Sequence, residues 1–214
     1  LVWTTNTYHR RSRDVRRAGR RGALEHVRAE IEDEGAAYRD LSGVVVALAR
    51  AHPDWTVLVK VHPLELREPY ERLAATLPNV LVPDRLPIRT VLCHADVLLQ
   101  RFSTTATEAW MVGKPVVEVA LSAVHASVRP AYLAGCDVAT SAAAAVDLVE
   151  RYVAGAPLPG AMRRAREDFL AAVYHHMDGR AAERCAAAIA EAVSAPGYSD
   201  ADRTRTRTAA RAAL

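Results

Sequence analysis

Short apolar runs alternate with longer stretches of helical periodicity through the first two thirds of the chain. Residues 55–61, WTVLVKV, are β-branched, apolar and short, which predicts a buried strand. Further strands are predicted over residues 2–5, 79–82, 97–99, 116–119 and 136–139. Between them, Leu24, Val27 and Ile31 recur at spacings of three and four, predicting a helix over 24–34. Leu41, Val44, Val45, Leu48 and Ala49 predict a second over 38–51, closed by His52-Pro53 because proline disfavours helix in the residue before it. Helices follow over 70–76, 88–94, 142–153, 161–176 and 180–193, with Ser141 and Asp178 as N-caps. Strands alternating with helices, then helices alone, predict an α/β doubly wound, Rossmann-like, mostly parallel sheet with helices on both faces and C-terminal helices.

Composition narrows the function classes. No stretch approaches 18 uninterrupted apolar residues, so no helical membrane span is expected. Cys93, Cys136 and Cys185 lack metal spacing and suggest a reducing compartment. A net charge of +3 does not argue for nucleic acid, and none is expected as a partner. The charge is uneven: seven arginines fall within residues 10–21, a segment that reads as a solvated surface or as a face for phosphate-rich acceptors or membrane. No G-x-G-x-x-G follows a strand and no G-x-x-x-x-G-K-[ST] occurs, which excludes the dinucleotide fingerprint and the P-loop. His175 and His176 diverge by about 100° on a helix and do not share a metal readily, so no metal site is expected.

The stretch that speaks most about chemistry is QRFSTTATEAWMVGKPVVEV, residues 100–119. It reads as strand end, hydroxyl loop, helix, turn and strand. Ser103, Thr104 and Thr105 are placed to cap the helix, Glu108 supports its first turns, and Gly113 ends it. A hydroxyl-rich loop entering a helix at a strand's carboxyl end is a good place to hold a phosphate, since free N–H groups and the helix dipole favour negative charge.

STTATEAWMVGKPVV resembles the nucleotide-binding motif in the C-terminal domain of GT-B glycosyltransferase-like proteins, above all the bacterial surface-carbohydrate and capsule biosynthesis group. Three further landmarks follow that family's order: TTN at 4–6, VKVHP at 59–63 and DGRAAERCAAAIAEAV at 178–193. The resemblance implies one half of a GT-B architecture over 1–195, in a fragment lacking the N-terminal acceptor domain that activity requires, while the polar, arginine- and threonine-rich composition of 196–214 predicts a disordered basic tail. It implies His62 as the catalytic group, contacting the donor phosphate and assisting leaving-group departure. Ser103, Thr104 and Thr105 would hold the donor phosphate, Glu108 the ribose hydroxyls, and Asn6 and Arg101 further parts of the donor. Backbone near residues 85–88 would read the base. The implied substrate is a nucleotide sugar, CMP-, CDP- or UDP-linked, with no cofactor, and the partner a glycan or lipid-linked acceptor. The implied location is the cytoplasm, at the inner membrane face through peripheral association. A nucleotide-sugar epimerase of the same architecture and a noncatalytic nucleotide-binding module are the alternative readings.

Overall fold

A computed structural model of the chain describes residues 1–4, 21–63, 65–101, 103–121, 131–174 and 176–194. Asn6, His175, the basic segment as far as residue 20 and the tail 196–214 lie outside the described residues. The chain divides into two compact units, Leu1–Phe169 and Leu170–Leu214.

The first unit holds six strands: β1 (Val2–Thr4), β2 (Val57–Lys60), β3 (Val80–Leu81), β4 (Leu98–Gln100), β5 (Val116–Val119) and β6 (Asp137–Ala139). Every pairing is parallel, and the order across the sheet is β3-β2-β1-β4-β5-β6. This is the doubly wound order, reversing direction between β1 and β4, and such sheets bind ligands beyond the carboxyl ends of their strands.

Helices α1 (Arg21–Ala51), α2 (Glu68–Ala74), α3 (Ile88–His94), α4 (Thr105–Met111) and α5 (Ala142–Val153) link or follow the strands. Strand side chains alternate between the faces, and both are covered. On one, Val57, Val59, Leu99, Val117 and Val119 join Leu41, Val44, Val45 and Leu48 of α1 and Val149 and Tyr152 of α5 in a single core cluster. On the other, Leu98, Gln100, Val116 and Glu118 are buried on the side of α3 and α4. Helix α6 (Gly160–Tyr174) runs from the first unit into the second, and α7 (Ala181–Ser194) belongs to the second. Asp178, expected as the N-cap of the last helix, lies three residues before Ala181; it accepts from the Arg180 N–H at 3.0 Å in the turn ahead of α7, and the N-cap position falls to Arg180. None of the helices in the described residues is long and apolar enough to cross a membrane.

The two helices expected over 24–34 and 38–51 are one continuous α1. Gly35 between them costs only about 1 kcal/mol against alanine, and neither proline nor a cap interrupts the chain there.

The turn after α4 is built as expected. Gly113 has φ +71°, its N–H donates to the Trp110 carbonyl at 2.9 Å, and the Lys114 N–H donates to the Ala109 carbonyl at 2.9 Å. Two bonds of this pattern close a helix through a left-handed residue, which favours glycine.

Cys136, in the bend before β6, is buried, whereas Cys93 and Cys185 are exposed. Burial, reinforced by the Glu118 charge, pushes its thiol up from 9.0 to about 12. The folded state therefore keeps this proton while the unfolded chain releases it. The resulting stability is complete below pH 9 and is lost as pH rises through about 12, by up to about 1.4 kcal/mol per pH unit. Tyr152 is raised in the same direction, first by burial and next by Asp137. Urea melts between pH 8 and 11 are expected to show a smaller alkaline loss in Cys136→Ala than in the wild type. Parallel curves would contradict the assignment.

Candidate functional site

A cleft of about 270 Å³ opens at the carboxyl ends of β2 and β4. Lys60, Val61, His62 and Pro63 line it from the β2 end, Leu86, Pro87 and Ile88 from the entry to α3, and Ser103 and Thr105 from the hydroxyl loop. Two segments separated by about 40 residues thus meet because their strands run parallel and both discharge at the same sheet edge. No aspartate or glutamate stands among the described lining residues.

His62 is half-buried. The Glu65 N–H donates to the His62 carbonyl at 3.0 Å, and the buried Tyr70 hydroxyl donates to Glu65 Oε2 at 2.8 Å. His52, the other histidine followed by proline, is employed quite differently. It stacks on Trp55 with centroids 3.7 Å apart, and its Nε2 lies 2.7 Å from Glu150 Oε1.

The hydroxyl loop is anchored from below. Gln100 and Glu118 are register partners on β4 and β5, and both are fully buried. The Gln100 amide donates to Glu118 Oε2, while its carbonyl oxygen accepts from the Ser103 N–H at 2.6 Å. One amide side chain therefore ties the loop to the sheet. Within the loop, Ser103 Oγ accepts from the Thr105 N–H at 3.3 Å and donates to Thr105 Oγ1 at 2.8 Å.

The expected hydroxyl cluster accordingly divides. Ser103 and Thr105 face the cleft, but Thr104, the N-cap residue, is exposed, does not line it, and makes no side-chain capping bond. Its backbone is already helical, at φ −61° and ψ −11°, rather than in the extended conformation that capping requires, and Ser103 one position earlier supplies the acceptor. Arg101 is buried with 7 % of its surface exposed and is not among the lining residues. Glu108 is half-buried in the first turn of α4, where its charge complements the helix dipole, and it too is not among the lining residues. Asn6 lies outside the described residues. Among the described residues no group of acids, histidines and cysteines has the geometry to hold a metal.

Lys60, Gln100 and Glu118 do not stand out in the sequence as site residues. A signal existed for the latter pair. Each is a polar residue in a strand otherwise wholly apolar, and burying such a residue requires a partner.

No family model matches the chain, and no curated protein does. Among solved structures, the chain is similar to the C-terminal domain of a glycosyl transferase group 1 family protein, LpcC, from Francisella tularensis. Sequence identity is 14 %, the TM-score is 0.42, and the match covers 64 % of this chain and 78 % of that one. A likeness at that level carries no argument about activity, and the fold assignment stands on the strand order itself.

A larger cavity, of about 440 Å³, lies at the opposite end of the sheet, with Leu1, Thr56 and Asp96 of the segments entering β1, β2 and β4 in its wall. Doubly wound sheets do not place ligands at the amino ends of their strands, which favours the smaller cleft.

Proposed function

We propose that the chain is the donor-binding half of a GT-B-type glycosyltransferase-like enzyme of bacterial surface polysaccharide biosynthesis, and that the cleft between His62 and Ser103 takes the phosphate of a nucleotide sugar. The observation that carries this reading is the convergence of His62, Ser103 and Thr105 on one cleft, without an acid among its described lining residues, at the carboxyl ends of a doubly wound sheet. The order of the sequence landmarks supports it independently.

The chemistry follows from the groups present. In glycosyl transfer the anomeric C–O bond to phosphate breaks, and negative charge develops on the leaving oxygen. The Thr105 hydroxyl, oriented before the reaction begins by the bond it accepts from Ser103, donates to that charge and stabilises it. A preorganised donor of this kind is worth about 3–4 kcal/mol. His62 supplies a hydrogen bond or a proton to the same phosphate near neutral pH. Leu86, Pro87 and Ile88 offer an apolar wall suited to a nucleobase or ribose face. An acceptor, glycan or lipid-linked, and the group that activates it would come from a separate acceptor domain.

Isothermal titration of the full-length protein with CMP, CDP and UDP tests the reading. Ser103→Ala combined with Thr105→Ala is expected to weaken binding about tenfold or more through lost hydrogen bonds. Absence of binding by any of the three nucleotides would remove the proposal.

A further inference from the structure

We propose that the larger cavity, of about 440 Å³, is a second ligand site for a small molecule with an apolar body and a cationic head, and that its occupant acts on the smaller cleft across Leu86. The site stands without the nucleotide reading; only its coupling to the cleft rests on that reading.

The cavity exists because helices cover this face of the sheet unevenly. Leu98, Leu58 and Leu81 belong to one row across the strands: Val2 pairs with both Leu98 and Leu58, and Leu58 pairs with Leu81. Residues in register across a parallel sheet point to the same face. Leu98, on the side of α3 and α4, is fully buried, Leu58 is half-buried, and Leu81 on the edge strand is 51 % exposed. The cavity lies where that cover runs out, between Leu58 of β2 and Thr90, Val91 and His94 of α3.

Its wall is of two kinds. Trp55, Leu58, Leu86, Val91 and Val153 offer apolar surface suited to an aromatic ring or a short aliphatic chain. His52 stacks on one face of Trp55 and so fixes the ring. Asp54 and Asp96 supply charge, and no lysine or arginine stands among the described lining residues. Neither carboxylate forms an ion pair with a described lysine, arginine or histidine. The Leu1 nitrogen, also in the wall, donates to the Thr56 carbonyl at 3.1 Å. Burial, opposed by Asp96, pulls this amino group below its usual range, which favours its uncharged form. The electrostatic character is thus the reverse of the cleft, which holds Lys60 and no described acid. An anion is repelled here and a neutral molecule meets only the apolar wall, whereas a cation on an apolar body answers both walls. Reacting ligands of doubly wound sheets lie at the other end, so an occupant here is an effector rather than a reactant.

The cavity and the cleft share structure. Leu86 lines both. Helix α3 starts beside the cleft at Ile88 and continues along the cavity through Thr90, Val91 and His94. An occupant that shifts Leu86 or α3 therefore alters the apolar wall of the cleft, and linkage makes the effect reciprocal.

Phenylpropylamine, phenylpropanol and phenylpropionate share one skeleton and differ in the charge of the head, so they serve as probes. Titrated into the full chain at about pH 8 and followed by amide chemical shifts, the amine is expected to bind with a Kd of about 1 mM or tighter, and about tenfold or more tighter than the propionate. The largest shifts should fall at residues 54–56 and 90–96. Thr90→Trp, which fills the cavity from an exposed position, is expected to abolish binding of the amine. Asp54→Asn with Asp96→Asn is expected to cut the preference for amine over alcohol to about twofold or less, and unchanged circular dichroism spectra and melting midpoints would verify that the variants are folded. Equal affinities for amine and propionate, or no binding of the amine, would overturn the site. Saturation with the amine is further expected to change UDP or CDP affinity by about threefold or more in the wild type and by less in Leu86→Ala. An unchanged nucleotide affinity would overturn the coupling. Binding of the amine by a chain that takes no nucleotide would uphold the site and reject the nucleotide reading of the cleft.

Discussion

Arg166→Ala is expected to lower the unfolding free energy by about 3–5 kcal/mol, a loss in the range that only core and network disruptions reach. Arg166 is 5 % exposed. Its Nε donates to the Gly135 carbonyl at 2.7 Å, its Nη1 donates to the Lys114 carbonyl at 3.0 Å, and its guanidinium lies 5.5 Å from the centre of the Trp110 ring. Charge-assisted bonds of this kind contribute roughly 1.5–3 kcal/mol each, and truncation leaves both carbonyls without that donor. The arginine stem also covers Gly135, where an added Cβ would come within 2.8 Å of the Arg166 Cγ and 2.6 Å of the Trp110 ring. Three pieces of chain that are remote in sequence, the turn after α4, the turn before β6 and α6, are thus held by one planar group. Denaturant unfolding would show the loss as a fall in midpoint, and in a heat scan about 10 °C for a chain of this size. Arg166→Lys should recover only part of it, because one ammonium does not reproduce the fork that spans two carbonyls. A loss below about 1 kcal/mol in Arg166→Ala would show that the lock is dispensable.

Gln100→Leu is expected to act on both stability and binding. It removes the donor to Glu118 and the acceptor for the Ser103 N–H, both in a fully buried setting, at a cost of about 2–4 kcal/mol. A purely structural role would end there. If Gln100 positions the loop for a ligand, nucleotide affinity also falls, by about tenfold, at temperatures where the variant remains fully folded. The fall should shrink in the Ser103→Ala background, since both changes then act on the same interaction. Additive losses in the double variant would separate Gln100 from the site and leave it as a piece of the core.

Arg166 and Gln100 both connect elements, and this is where reading the chain in one dimension reaches its limit. The elements themselves are legible. Helices 88–94 and 142–153 are predicted to the residue. Each has a local start and stop: Pro87 before the first, and Ser141 before the second, whose hydroxyl accepts from the Ala144 N–H at 3.1 Å. Local spacing divides α1 wrongly because Gly35 weakens the signal between 34 and 38, while the apolar stripe at Leu41, Val44, Val45 and Leu48, sealed in the core, overrides it. Of the expected site, His62, Ser103 and Thr105 converge on the cleft, whereas Thr104, Arg101 and Glu108 do not line it. The first three follow from where a parallel strand ends. The other three depend on the direction of a side chain after a turn, and spacing alone does not fix that direction.

The hydroxyl loop illustrates the division between the two sources. Sequence by itself determined that a strand, a loop of small hydroxyl residues, a short helix and a glycine turn would follow one another at residues 98–113, because apolar runs, N-terminal hydroxyls and a left-handed glycine act over a few neighbouring residues. It also determined the α/β class through the alternation of strands and helices. Only the tertiary structure decided that the loop faces His62 and Lys60 across a common cleft, that Gln100 and Glu118 brace it from beneath, and that Arg166 fixes the turn behind it. Apart from the local Gln100–Ser103 bond, these relations join residues 18 to 52 positions apart, through buried hydrogen bonds and strand register. Which partner a buried polar group finds is settled when the chain closes around it and water is no longer there to serve.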